Sequence, residues 1–283
     1  MSETLQQLSE KLLDMAKAAG ADADAADAMA VRGTSLSIDV RGGALENAER
    51  SEATDLGLRV MLGQKQANIS TSDVREETLR TMAERAVAMA AEAPDDPYIG
   101  LADPADIATD WDISAFELCD PSGEPAPDAL QQDATEAEAA ALAYEGISQV
   151  QSVSAGYGRT DVHLAASNGF SGGYARSDRA ISCVAIAGTG AEMERNYDYD
   201  SRIFHSDLTD PRSIGASAAE RALSRQNPKR PPTGAYPVIF DERISGSLIG
   251  HLMSAINGAA IARGSSWLLN DLGAEILPNP DNS

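Results

Sequence analysis

Apolar residues recur every three or four positions at Leu5, Leu8, Leu12, Met15, Ala16 and Ala19, and Gly20 follows as a stop. That spacing predicts an opening amphipathic helix. Strict alternation then takes over in Thr34-Ser35-Leu36-Ser37-Ile38-Asp39-Val40, the signature of a half-buried strand. Arg41-Gly42-Gly43 reads as a hairpin turn into a second strand near 44–50, with further strands at 56–62 and 67–72. Ser72 or Asp73 caps a long helix whose stripe is Leu79, Met82, Ala83, Ala86, Val87 and Ala90, and Pro94 and Pro97 end it. The same order returns downstream. A helix over about 134–146 precedes strands near 150–157, 161–167, 172–177 and 180–187, with Asn168-Gly169 as a type I′ hairpin signal. Asp210 as N-cap and Pro211 at N1 open a further helix through Ile214, Ala218 and Ala222. Short connections make the sheets antiparallel. The expected fold class is α+β, with two helix–antiparallel-meander–helix subdomains at about 1–97 and 133–227 inside an N-terminal domain of 1–227.

Between the subdomains, Pro94, Pro97, Pro104, Pro121, Pro125 and Pro127 predict an extended surface connection. Beyond 227 the pattern changes. Pro237-Val238-Ile239-Phe240 is expected as a short strand. Leu248, Ile249, Leu252, Met253, Ile256, Ala259 and Ala260 predict a helix over 244–262 that is apolar nearly all round, the kind buried in a core or against a partner. Residues 277–283 read as an opening strand or loop, placing the end of the chain inside a domain.

Charge narrows the function classes. Lys and Arg number 22 against 44 Asp and Glu in 283 residues, a net charge of −22. Phosphate binding needs clustered cations, so nucleic acid is not expected as the direct ligand. Residues 1–8 lack a basic stretch followed by an apolar run, so no signal peptide is expected, and no run approaches the ~18 uninterrupted apolar residues of a membrane span. Cys119 and Cys183 stand alone without a CxxC pattern and are expected as reduced thiols. The expected address is the cytoplasm, with no membrane contact.

Chemistry-bearing patterns are sparse. There is no GxSxG and no P-loop. Gly188-Thr189-Gly190 lacks the third glycine of a dinucleotide fingerprint and follows a meander strand. His205-Ser206-Asp207 offers one nitrogen and one oxygen to a metal, but such a triplet is common by chance and reads first as a polar loop. Tyr197-Asp198-Tyr199-Asp200 reads as a solvated strand edge, and His163 as a hydrogen-bonded structural histidine. His251 sits on a helix suited to a zinc motif, but Ala255 and Ile256 follow at i+4 and i+5. One imidazole cannot build that site, so spacing alone gives no catalytic residue, no cofactor-binding residue and no metal ligand.

Several stretches resemble a known family. They are Glu49-Arg50-Ser51-Glu52, Leu56-Gly57-Leu58-Arg59-Val60, Ser70-Thr71-Ser72-Asp73, Ala166-Ser167-Asn168-Gly169-Phe170, Glu194-Arg195-Asn196-Tyr197-Asp198-Tyr199, and the run from Pro232 through Tyr236 to Asp241. Gly250-His251-Leu252, Ala255-Ile256-Asn257-Gly258 and Ala262-Arg263-Gly264-Ser265-Ser266 continue the likeness, which spans the chain. Together they resemble the TldD/PmbA family, also called "modulator of DNA gyrase". The resemblance implies that 228–283 is the start of a truncated, β-rich, metallopeptidase-like C-terminal domain. TldD-like members carry HExxxH on the helix after the domain boundary. The positions matching its His, Glu and His are Gly250, His251 and Ala255, so all three metal roles are vacant. The chain therefore resembles the PmbA/TldE branch.

What the resemblance implies is a non-catalytic component of a cytosolic TldD/TldE zinc metallopeptidase acting in peptide maturation and proteolysis. Its partner would be a TldD-like catalytic subunit holding the zinc. A peptide would be its substrate, received by exposed strand edges of the two meanders through β-augmentation. Two alternatives stay open. One is a metallopeptidase in its own right, joining His205, Asp207 or His251 to ligands from the missing third. The other is a non-enzymatic peptide-binding homodimer. Any link to gyrase would be indirect.

Overall fold

Burial alternates along strand β1 (Ala25–Arg41), where Ala26, Ala28, Ala30, Leu36, Ile38 and Val40 are inside and their neighbours face the other way. This is seen in a computed structural model that describes residues 3–20, 25–108, 113–271 and 273–274. Contacts divide the chain into two units, Met1–Pro228 and Lys229–Ser283.

In the first unit, α1 (Leu5–Ala18) opens with a capping box in which Thr4 and Gln7 satisfy each other's backbone N–H groups. Strands β1, β2 (Ala44–Leu62) and β3 (Lys65–Thr71) follow, then α2 (Glu76–Glu92). The plan repeats as α3 (Pro127–Leu142), β4 (Ile147–Ala166), β5 (Ser171–Ala187), β6 (Glu194–Arg202) and α4 (Pro211–Leu223). The antiparallel α+β expectation is borne out. The two meanders, however, are not separate sheets. β1 pairs with β4 from Asp27 opposite Ala166 to Val40 opposite Val153, giving one six-stranded sheet in the order β3-β2-β1-β4-β5-β6. Two of the four meander edges are consumed by that pairing.

Elements differ from the sequence expectation where a local break signal was overridden by pairing. The strands expected at 44–50 and 56–62 are one strand, as are those at 150–157 and 161–167, and those at 172–177 and 180–187. Gly158 and Asp178 sit directly opposite each other in the β4–β5 ladder. A Cβ on Gly158 would stand 2.6 Å from Asp178 Oδ1, so the glycine makes room for the carboxylate rather than breaking the strand. α3 starts at Pro127 rather than near 134, with the proline in the first helical turn where its missing N–H costs nothing. The N-cap position of α2 is Arg75, which makes no side-chain cap bond, while Asp73 accepts from the Arg75 N–H at 3.0 Å.

Turn chemistry shows the same mixture. Gly42 and Gly43, at φ of 62° and 72°, form the two-residue turn between β1 and β2. The β4–β5 turn is not type I′, because Asn168 is absent from the residues with positive φ, and only Gly169 takes φ of 98°. Asn168 instead accepts from the Phe170 N–H at 3.2 Å and donates to Ala102 O at 2.9 Å.

The four helices of the first unit, α1 to α4, cover one face of the sheet, in two separate cores. α1 and α2 close over Ala28, Leu56, Leu58 and Val60, and α3 and α4 close over Ile38, Val153, Ile181 and Cys183. Alanine allows close approach: a Cβ on Gly215 of α4 would lie 2.0 Å from Ala137 O of α3. Glu138 of α3 is almost fully buried and accepts from the Gly42 and Gly43 N–H groups at 2.6 and 2.7 Å. The hairpin tip is thus clamped to the helix layer by charge-assisted bonds.

The second unit holds α5 (Glu242–Ala255) and α6 (Gly258–Ala262). The single helix expected over 244–262 is interrupted at Ile256 and Asn257, where the Asn257 side chain caps α6 by accepting from the Ala260 N–H at 3.1 Å. Residues 237–240, expected as a strand, have no regular secondary structure. Ile244, Leu248, Ile249 and Met253 of α5 are exposed, and Ala255 is buried. Residues 277–283 lie outside the described residues.

Candidate functional site

Asp241 caps α5 by accepting from the Arg243 N–H at 3.0 Å, which starts the helix two turns before the positions of interest. Gly250 and His251 are exposed, and a Cβ on Gly250 would meet nothing within 4 Å. Zinc takes imidazole, thiolate or carboxylate donors. Gly250 has no side chain, His251 supplies one imidazole and Ala255 a methyl group, so these three positions do not fit a zinc ion. Among the described residues, no three His, Cys, Asp or Glu gather at one point.

The remaining candidates are scattered. His205 and Asp207 share a short 3₁₀ turn, His205–Asp207, and the His205 N–H donates to Asp120 Oδ2 at 2.8 Å. That N–H and the one from Ser122 hold the Asp120 carboxyl below its usual range. His163 of β4 lies with Nδ1 2.8 Å from Ser9 Oγ of α1 and Nε2 3.5 Å from Ser171 Oγ, and burial pushes its pKa down. Tyr197 and Tyr199 project from β6 with rings stacked 6.1 Å apart. The acidic residues between and beside them are engaged in the fold: Asp198 pairs with Arg221, and Asp200 accepts from Thr209 N–H and Oγ1 at 2.9 and 2.8 Å.

Gly188-Thr189-Gly190 leads into one 3₁₀ turn and then β6, so no long helix presents its N-terminus to a phosphate. Gly188 has φ of 79°, and a Cβ there would lie 2.7 Å from Glu192 O. Burial pushes the Cys183 thiol up to about 12, while Cys119 is half-buried.

The features that pattern reading missed lie on the sheet face the helices leave uncovered. Arg59 of β2 pairs with Asp27 of β1, its Nε 2.9 Å from Asp27 Oδ2. Beside that pair, Met29, Gly57 and Leu164 floor a shallow depression of about 420 Å³. Alternation in β1 was the available signal, since it sends Asp27 and Met29 to the face opposite Ala26, Ala28 and Ala30. A larger hollow of about 750 Å³, between α1 and α2, is rimmed by Glu10, Lys11, Asp14 and Glu84 and holds none of the sequence candidates. No helix among the described residues is long and apolar enough to cross a membrane.

Comparison with known proteins follows the same layout. Three family models match: PmbA/TldA metallopeptidase domain 1 over residues 26–90, the central domain over 120–226 and the C-terminal domain over 233–280. The metalloprotease PmbA of Escherichia coli O157:H7 is 32% identical over 275 residues, covering 96% of this chain and 60% of that protein. A PmbA homologue from Haemophilus influenzae is 33% identical, covering 98% of this chain and 60% of its own length. The chain thus spans about three fifths of these curated relatives. Among solved structures, a protein named as a modulator of DNA gyrase from Bacteroides thetaiotaomicron superposes with a TM-score of 0.86 at 25% identity, over 96% of this chain and 61% of that one. TldE from Thermococcus kodakarensis shares the fold, with a TM-score of 0.69 at 15% identity, over 92% of this chain and 58% of that one.

Proposed function

The chain belongs to the PmbA/TldD metallopeptidase family, and on that premise we propose that it serves as a PmbA/TldE-like, non-catalytic component of a cytosolic zinc peptidase complex. One observation carries the reading. Gly250, His251 and Ala255 occupy the three positions that a zinc-binding HExxxH helix would need, and together they supply a single imidazole. Water bound to a metal and deprotonated by a neighbouring carboxylate has no place on such a helix. The zinc and the hydrolytic step belong to a TldD-like subunit.

In this reading the chain contributes surface. The exposed apolar residues of α5, with Val238, Ile239 and Phe240, suit burial against further polypeptide, and the sheet of the first unit suits an extended peptide. Residues 228–283 are the start of the C-terminal metallopeptidase-like domain, in keeping with the family model over 233–280.

The test is elemental analysis for zinc on the full-length protein, purified without a metal-binding tag, followed by mixing with a TldD-like subunit. We expect zinc near zero on this chain alone, and a stable complex that hydrolyses peptides. About one zinc per chain would establish a peptidase in its own right. A self-associating species that binds peptide but ignores the TldD-like subunit would establish the homodimeric binding module.

A further inference from the structure

Strand β2 extends well past its outer neighbour. β3 pairs only with Leu56–Leu62, so on that side residues 44–55 of β2 have no partner strand among the described residues. Every residue from Ala44 to Ala53 is exposed, on both faces. The register to β1 is unbroken from Asn47 opposite Asp39 to Asp55 opposite Val31, and the bulge that ends it falls at Glu46. In an antiparallel pair, alternate residues direct both N–H and C=O away from the partner. Residues 47–55 therefore offer a row of free backbone groups along an edge roughly 30 Å long.

The outer strands β6 and β3 are engaged at points by side chains or flanking chain. On β6, the Tyr197 N–H donates to Asn196 Oδ1 at 2.9 Å and the Ser201 N–H to Asp200 Oδ1 at 3.0 Å. Side chains fold back there onto donors an added strand would need. At the start of β3, Lys65 Nζ donates to Ala91 O at 2.9 Å and the Asp96 N–H to Gln64 O at 2.6 Å. Residues 47–55 contain no proline, and no side chain caps their main chain among the bonds seen. An edge this long is normally blunted or used.

Charge selects the occupant. Arg50 is drawn onto two carboxylates, its Nε 2.8 Å from Glu124 and its Nη2 2.7 Å from Glu52, so the cation of this stretch is already spent. On the uncovered face the edge presents Glu49, Ser51, Ala53 and Asp55, two small residues between two carboxylates, with Asp55 Oδ1 also accepting from Ser72 Oγ at 2.6 Å where β3 ends. A shallow trough of about 260 Å³ runs inward from Ser51 and Ala53 over Gly33, Ser35 and Gly158. A second copy would bring the same carboxylates and a second net charge of −22 against this edge.

We propose that residues 47–55 of β2 are the docking edge for an extended basic peptide, which adds as a strand beside β2. Lys or Arg six positions apart would reach Glu49 and Asp55, with small or β-branched residues between them. Main-chain bonds give affinity, and the carboxylate spacing gives preference. The inference rests on the reading of this chain as a peptide-handling component, and it names the edge and the class of peptide.

The test uses this chain alone. The probe is a short Thr- and Ser-rich peptide, blocked at both ends, with two Lys six residues apart. Amide exchange should slow within 47–55 on binding, and Glu49→Lys with Asp55→Lys should weaken affinity at least tenfold while gaining a matching peptide that carries Glu. Ser51→Pro and Glu52→Pro complete the design, because adjacent residues direct their N–H groups to opposite sides. The variant whose proline falls on the free side keeps native thermal stability and should lose the peptide. No binding, protection confined to 194–202, a dimer formed through 47–55, or a stable proline variant that binds like the parent would overturn the proposal. Failure to join a TldD-like subunit would sink the functional reading and leave this edge standing. A functional complex in which the peptide ignores β2 would sink the edge alone.

Discussion

At the scale of single residues, function and stability part company. His163, a candidate for chemistry by residue type, is tied to Ser9 and Ser171, with Glu10 nearby favouring the charged ring and burial opposing it. Burial is the larger effect, so the folded pKa lies below the ordinary value of about 6.5. The unfolded chain takes up the proton first as pH falls, and stability drops below about pH 6.5 until the folded value is passed. Urea midpoints for the parent should therefore fall more between pH 7.5 and 5.5 than those of His163→Gln. The difference should stay well under ~1.4 kcal/mol, one pKa unit, because solvent screens a half-buried ring. Parallel slopes would mean that the ring does not titrate differently on folding. Glu138 is the converse case: sequence marks it as one helical carboxylate among many, and only the fold shows it holding the Gly42-Gly43 turn.

At the scale of elements, close approach replaces large side chains. Aromatic residues make up 5% of the chain, so the cores rely on Ala, Leu, Val and Ile with helices set tightly against one another. The contact of Gly215 with Ala137 O makes this testable. Gly215→Ala must part α3 from α4 or strain both, and should cost about 2 kcal/mol in unfolding free energy. Gly246→Ala on α5, where a Cβ meets nothing within 4 Å, should instead be neutral or stabilise by roughly 0.5–1 kcal/mol through helix propensity. Equal effects in thermal denaturation would contradict the packing argument. Long strands are the second lesson of this scale. Gly158 and Asp178 each look like an interruption alone, and they become compatible once the ladder sets them opposite each other.

At the scale of the molecule, the β1–β4 pairing makes two similar modules into one unit. Residues 227–242 are exposed, and 228–241 contain no helix or strand. Brief digestion should cut near Lys229 with trypsin and at Phe240 with chymotrypsin, leaving an intact piece ending near 229 or at 240, respectively. That piece should unfold in one transition in urea, because neither meander can open without exposing its partner's inner strand. Two separated transitions, or cuts that release 1–97 from 133–227, would show independent modules. The excess of acid over base, 44 to 22, acts here too: it favours basic partners and slows association between copies.

The sequence by itself determined what depends on near neighbours. Alternation and helical spacing gave the order of elements, Gly42-Gly43 gave the first hairpin, and composition gave a strongly acidic chain. Gly250, His251 and Ala255 gave a helix without a zinc donor set, since missing side chains need no fold to be recognised. Tertiary structure decided what depends on residues distant in the chain. It joined the meanders through β1 and β4 and took Glu138 across to the hairpin. It also left residues 47–55 without an outer partner strand among the described residues. Pairing free energy is shared between strands more than a hundred residues apart, so no local pattern can reveal which edge is filled and which stays open.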